Sequence, residues 1–267
     1  MSAVFWADAV LSIADIPYAL QEYPQATCAV IDVIRATTTI SVLEERGAET
    51  IQIASSIEEA LEIWQTHQEY FLVGEKQGIC PEGFQFGNSP AEIAHTDFTN
   101  KHVVIATTNG TKAITACFMH HAGVVTAACL RNAAAAAQCI LANFPAPGLV
   151  VCAGRGMLPA ADDTFTAGII LAELQRLANL ADITITFGEA AQLAISYAEN
   201  CHNDTLQFLR NTMAGKAVHR VQLDDDLNYC AQRNTRAELP IILLDETGRL
   251  LAPRSHVYTA HQLDGDT

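Results

Sequence analysis

Positive charge is scarce in this chain. Fifteen Lys and Arg stand against thirty Asp and Glu, a formal net charge of -15. A surface of that sign repels phosphate backbones and anionic lipid headgroups, which sets aside nucleic acid and membranes as partners. Long apolar runs are also missing. None approaches the about 18 residues of a membrane span, and "MSAVFWADAV" (1–10) lacks the basic-then-apolar pattern of a signal peptide, so the cytoplasm is the expected compartment. Eight cysteines are present, but no two stand in CxxC spacing and most lie in apolar runs such as "LVVCAG". They read as free, buried thiols rather than as disulfides or a metal cluster. Familiar nucleotide and hydrolase signatures are absent: there is no GxxxxGK[ST], no GxGxxG after a strand and no GxSxG. The nine histidines form no HExxH, which argues against zinc, and His120-His121 reads as a helix end.

Half of the residues are hydrophobic and 17% are charged, the balance of a chain with a substantial buried core. Short Val- and Ile-rich runs recur, each followed by a small or polar turn and a segment of helical periodicity. That alternation predicts an α/β protein with a mostly parallel or mixed sheet. "CAVIDV" (28–33), "TIQIA" (50–54), "YFLVGE" (70–75), "HVVIA" (102–106) and "GLVVCAG" (148–154) read as strands. Ser55 or Ser56 with Glu58 or Glu59 has capping-box spacing, and Gly47 is a helix stop. "KQGICPEGFQFGNSPAEIA" (76–94) reads as a long loop, and "ELPIILLDETGRLL" (238–251) as a terminal hairpin or edge strand. No linker appears, so residues 1–267 are read as one domain, with room for two lobes.

Polar clusters fall at the carboxyl ends of the strands, where open α/β sheets bind ligands. Asp32, Arg35 and Thr37, Thr38 and Thr39 follow one strand; Glu75 and Lys76 another; Thr107, Thr108, Asn109, Gly110 and Thr111 a third; Arg155 and Gly156 a fourth. Singly, each is explained by a cap, a turn or a local ion pair. Together they supply the cations, hydroxyls and amides that a phosphate or sulfonate requires. Asp32, Glu75 and the pair Asp162-Asp163 add hard oxygen ligands suited to Mg²⁺. "LDDDL" (223–227) reads as a solvated charged turn, because adjacent acids point in different directions.

In order along the chain, "DVIRATTT" (32–39), "GEKQG" (74–78), "GFQFGNSP" (83–90), "TTNGT" (107–111), "LRNA" (130–133), "DDTFTAG" (162–168) and "DDLNYCAQ" (225–232) resemble the 2-phosphosulfolactate phosphatase (ComB) family. The resemblance runs from about residue 28 to 245. It implies a three-layer α/β/α fold and a Mg²⁺-dependent phosphoric monoester hydrolase. The implied reaction converts (2R)-2-phospho-3-sulfolactate to (R)-3-sulfolactate and phosphate, a step of coenzyme M biosynthesis. Carried over onto this sequence, its motifs fall on Asp32, Arg35, Glu75, Asn88, Ser89, Thr108 to Thr111 and Asp163. With the strand-end clusters, the expected roles are catalysis for Asp32, Arg35, Glu75 and Asp163, the metal for Asp32, Glu75 and Asp163, and substrate binding for Thr37, Thr38, Thr39, Lys76, Asn88, Ser89, Thr108, Asn109, Gly110, Thr111 and Arg155. Lys76 stands where Arg is usual and Asp162 where Glu is common; lysine lacks the planar fork that grips an anion at two points. Two alternatives accompany this reading: a phosphatase of the same family acting on another small phosphorylated hydroxy acid, or a non-catalytic module that binds a phosphometabolite. Either way the partner is a small anionic phosphate ester, and by analogy the chain forms a homodimer.

Overall fold

Strands buried on both faces read as unbroken apolar runs, and this protein is built around them. The computed structural model describes residues 4–201 and 204–259. Its strands are β1 (Val4–Val10), β2 (Thr27–Ile31), β3 (Thr50–Ala54), β4 (Phe71–Gly74), β5 (Phe86–Gly87), β6 (His102–Ala106), β7 (Val124–Ala128), β8 (Gly148–Cys152), β9 (Thr184–Phe187), β10 (Glu238–Leu244), β11 (Leu250–Pro253) and β12 (Val257–Thr259). They form one sheet in the order β5-β4-β6-β3-β11-β10-β7-β2-β8-β1-β9, with β12 beside β10. Within β5-β4-β6-β3 and within β7-β2-β8-β1-β9 every pairing is parallel. The hairpin β10–β11 joins these two halves by antiparallel pairing to β7 on one side and β3 on the other.

Of the terminal hairpin or edge strand expected at 238–251, the hairpin is present, and it lies in the middle of the sheet instead of at an edge. Its position follows from packing: Ile242, Leu250 and Ala252 are buried in the same core cluster as Ile51, Ile53 and Val125 of the strands they bridge. Helices cover both faces, giving the three-layer α/β/α architecture. In β2, Ala29 and Ile31 enter the core beneath helices Ala133–Ala142 and Ala161–Leu180, whereas Cys28 and Val30 enter the core beneath Ala36–Glu45 and Gly110–Met119. All eight cysteines are free, and six of them are buried. The predicted cap is present: Ser56 Oγ accepts the Glu59 amide at 3.1 Å, while the Glu59 carboxylate accepts the Ser55 amide at 2.7 Å. The predicted long loop after β4 is partly ordered, with a tight bridge between Lys76 and Ile79, the two-residue strand β5 and the helix Pro90–Ile93. No helix of the described residues is long and apolar enough to cross a membrane.

Candidate active site

Four strand ends that are distant in sequence meet at one cavity of ≈ 530 Å³. β2 delivers Asp32, β4 Glu75, β6 Thr108 and Asn109, and β8 Gly154 and Arg155. Parallel strands hand their chain to helices at this end, so helices Ala36–Glu45, Gly110–Met119 and Ala161–Leu180 all begin beside the cavity. Their first-turn amides favour an anion there.

Asp32 lies between two of these N-termini. Its carboxylate accepts the amide of Ala36 at 3.4 Å and that of Gly110. Only glycine permits the second approach: a Cβ at 110 would lie 2.6 Å from Ala36 Cβ and 2.8 Å from Asp32 Oδ2. Glu75 is held by the backbone on both oxygens, Oε1 accepting the Thr108 amide at 2.6 Å and Oε2 the Gly78 amide at 2.7 Å.

Asp162 and Asp163 share the first turn of helix Ala161–Leu180, but their roles divide. Asp163 Oδ1 accepts the Val33 amide at 3.0 Å and Oδ2 the Gly154 amide at 2.9 Å, which ties the end of β2 to the end of β8. Asp162 is equally buried and faces the cavity, with only its own amide as a hydrogen-bond partner among the described residues. Burial pushes Asp32 up to about 7, with the neighbouring charges of Asp162 and Glu75 adding to it. Burial likewise pushes Asp162 up to about 6, although its own amide and Arg155 pull the other way. Asp163 is raised well above the carboxylate range, by burial first and then by Asp162 and Asp32.

Positive charge does not match this crowding. The Arg35 guanidinium reaches the cavity, but Nη1 sits 2.7 Å from Asp226 Oδ2 and Nη2 donates to the Gly78 carbonyl at 3.0 Å. Two carboxylates with free lone pairs and an unmet deficit of positive charge are a donor set for a hard divalent cation. Among the described residues no three His, Cys, Asp or Glu side chains converge as a metal cluster. Magnesium fits the smaller set, because it keeps several waters and binds through one or two carboxylates with substrate oxygens.

The raised values have a measurable consequence. The folded chain holds these protons more tightly than the unfolded chain, so their contribution to stability is full below the ordinary carboxylate range and lost as pH rises through the folded values of about 7 for Asp32 and about 6 for Asp162. In metal-free buffer the Tm is expected to fall between about pH 5 and about pH 7.5, and Mg²⁺ is expected to restore it at the upper end. Scanning calorimetry checks this; a Tm that is flat or rising over that interval contradicts it.

A family model described as 2-phosphosulpholactate phosphatase matches residues 14–243. The chain belongs to the 2-phosphosulpholactate phosphatase family. By that membership it is a phosphoric monoester hydrolase. A protein of Thermus thermophilus is 35% identical over 225 residues, covering 82% of this chain and 89% of its own. One of Deinococcus radiodurans is 34% identical over 221 residues, covering 83% and 89% respectively. One of Nostoc punctiforme is 30% identical over 226 residues, covering 84% and 90%. Each of the three is named "Probable 2-phosphosulfolactate phosphatase".

In this family member the cavity brings together Asp32, Arg35, Glu75, Asn88, Thr108, Asn109, Arg155 and Asp163 from among the residues singled out in the sequence. Asn88 lines the cavity and is buried, and its Oδ1 has no hydrogen-bond partner among the described residues. Arg35, expected to meet phosphate, lines the cavity with its guanidinium already paired to the buried Asp226 carboxylate. Thr37, Thr38 and Thr39 are fully buried and away from the cavity. The Thr37 hydroxyl donates to the Asp32 carbonyl at 2.9 Å and that of Thr38 to the Val33 carbonyl at 2.8 Å, so they lock helix to strand instead of meeting an anion. Thr111 is spent in the same way on the Thr107 carbonyl, at 3.1 Å, and Gly110 contributes its amide to Asp32. Ser89 caps helix Pro90–Ile93 and donates to Asp226 Oδ1 at 2.5 Å. Lys76 turns instead to a neighbouring groove of ≈ 280 Å³, which it shares with Lys112.

The division within the pair Asp162-Asp163, and two further parts of the site, were not legible in the sequence. Asp162, not Asp163, offers a free carboxylate beside Asp32, because both oxygens of Asp163 are taken by the Val33 and Gly154 amides. Asp226, expected in a solvated turn, is fully buried, with Arg35, Ser89 and the Ala91 amide as partners. The third is the apolar lining contributed by helix Met213–Arg220.

Proposed function

We propose that this chain is a Mg²⁺-dependent phosphatase for a small 2-phosphorylated hydroxy acid. Its relatives are named for 2-phosphosulfolactate, and the proposed reaction converts (2R)-2-phospho-3-sulfolactate to (R)-3-sulfolactate and phosphate. The observation that carries the reading is the pair Asp32 and Asp162, both facing the cavity, both raised, and unmatched by any free cation other than Arg155 among its described lining residues. Asp32 and Asp162 would hold the ion, and the ion would supply charge stabilisation to the phosphate oxygens.

The protein's own groups do the rest. Amides at the helix N-termini and the Arg155 guanidinium attract the phosphate into the cavity. Asn88 and Asn109 orient its oxygens, and Glu75, fixed by two amides, accepts a hydrogen bond from the attacking water. The water oxygen joins phosphorus and the ester oxygen–phosphorus bond breaks. One water proton ends on the hydroxyl of the released acid and the other on phosphate. Positioning and electrostatics carry phosphoryl transfer of this kind, so no conspicuous nucleophile is required.

Phosphate release from racemic 2-phosphosulfolactate and from several phosphorylated hydroxy acids, with Mg²⁺ and with chelator, tests the reading. Release that stops on chelation is expected. Release from none of them would favour a module that only binds a phosphometabolite.

A further inference from the structure

A phosphosulfolactate has three anionic groups, phosphate, carboxylate and sulfonate, and the cavity can match only part of that charge. Asp32, Glu75 and Asp162 are acids, the Arg35 guanidinium is spent on Asp226, and Arg155 is the one unpaired cationic side chain among the described residues lining the cavity. With the cation on the phosphate and Arg155 on the carboxylate, the sulfonate still lacks a partner. An anion left unmatched beside carboxylates is costly, so its positive charge must come from outside the cavity.

That charge lies next door. The groove of ≈ 280 Å³ holds Lys76, from the turn after β4, and Lys112, from the first turn of helix Gly110–Met119. Groove and cavity share a wall, for Glu75, Gln77 and Thr108 line both. Neither ammonium has an ion-pair partner among the described residues. The acids of the groove are engaged elsewhere: Glu58 by its own amide and the Ser56 hydroxyl, with Lys76 acting on it only at longer range, and Glu75 by the Thr108 and Gly78 amides. Lys112 gains nothing from its own helix either, because a cation in the first turn opposes the helix dipole.

The shapes of the two remaining anions sort them between these cations. A planar carboxylate fits the fork of a guanidinium, whereas a sulfonate presents three equivalent oxygens about one axis and is met by point charges such as ammonium groups. It is carried on the carbon next to the one that bears the phosphate, which keeps it within reach of a groove walled by the same residues. We infer that Lys76 and Lys112 form the subsite for the substrate's sulfonate and set the preference for a sulfonated acid over its unsulfonated counterpart. The inference rests on the phosphatase reading of the cavity and leaves its bond-making and bond-breaking steps unchanged.

Its test is kcat/KM of the intact chain with Mg²⁺ on 2-phosphosulfolactate and on 2-phospholactate, which lacks only the sulfonate. The wild type is expected to prefer phosphosulfolactate by at least about tenfold. Lys112→Met, and separately Lys76→Met, are expected to reduce that ratio at least about tenfold, chiefly by raising KM for phosphosulfolactate, and Lys112→Arg to keep most of it. Both lysines are exposed, so the variants are expected to unfold at the wild-type Tm. A wild type that treats the two compounds alike or prefers phospholactate, or a ratio unmoved in either methionine variant, overturns the inference and leaves the phosphatase reading standing. Release from neither compound overturns both.

Discussion

Asp162→Asn is expected to lower kcat/KM on the order of 10³-fold, a loss comparable to removing one aimed electrostatic group from a transition state. Asp32→Asn is expected to do the same. Each exchange keeps the shape of the side chain and removes a charge on which the proposed cation depends. Stability should move in the opposite direction. Burial pushes these carboxyls up to about 6 and about 7, so at neutral pH without metal the folded chain carries charges it holds at a cost. Neutralising one relieves that cost, and the metal-free Tm near pH 7.5 is expected to rise by about 5 °C. The combination distinguishes a functional acid from a structural one. Activity within tenfold of wild type, or a Tm that falls along with activity, would contradict the assignment.

Asp226→Asn should have the largest effect on stability. Asp226 and Arg35 form an ion pair with side-chain exposures of 0% and 4%, and the carboxylate also accepts from Ser89 and the Ala91 amide. Asparagine can keep the bonds its oxygen accepts, but it strands a buried guanidinium. Breaking such a pair from one side costs about 3–5 kcal/mol, or on the order of 10 °C in Tm for a chain of this size. Activity should fall as well, because Arg35 holds the Gly78 carbonyl and the Gly78 amide holds Glu75. The double variant Arg35→Met with Asp226→Leu removes both charges, and thermal unfolding should show it less destabilised than the sum of its single exchanges. Additive losses would mean that the pair is not coupled.

These two predictions rest on different degrees of legibility in the sequence. The strand-to-helix turns could be read because each is local: an apolar run, a polar residue and a helix start within ten positions. That all four converge was anticipated from the rule that ligands gather at carboxyl strand ends. What a hydroxyl or guanidinium touches was not local. Arg35 is 191 positions from its partner Asp226, and no short-range pattern distinguishes that acid from its solvated neighbours in "LDDDL". The threonines of "RATTT" carried the chemistry of an anion site, yet helix geometry turns Thr37 and Thr38 back onto their own strand.

The hairpin β10–β11 shows the same limit. Pro240 argues for an edge, and it does lie in the stretch of β10 that pairs with the short β12; the next two residues, Ile241 and Ile242, pair with β7 inside the sheet. Helix Met213–Arg220 was not read from the sequence, and periodicity does not say whether an apolar stripe faces a core or a cavity.

Mn²⁺ titration followed by electron paramagnetic resonance, on the wild type and on Asp162→Asn, tests the central claim most directly. The account predicts a bound Mn²⁺ in the wild type that Mg²⁺ displaces, and at least about tenfold weaker binding in the variant. Equal binding by the two proteins, or none by the wild type, would contradict a cation held between Asp32 and Asp162.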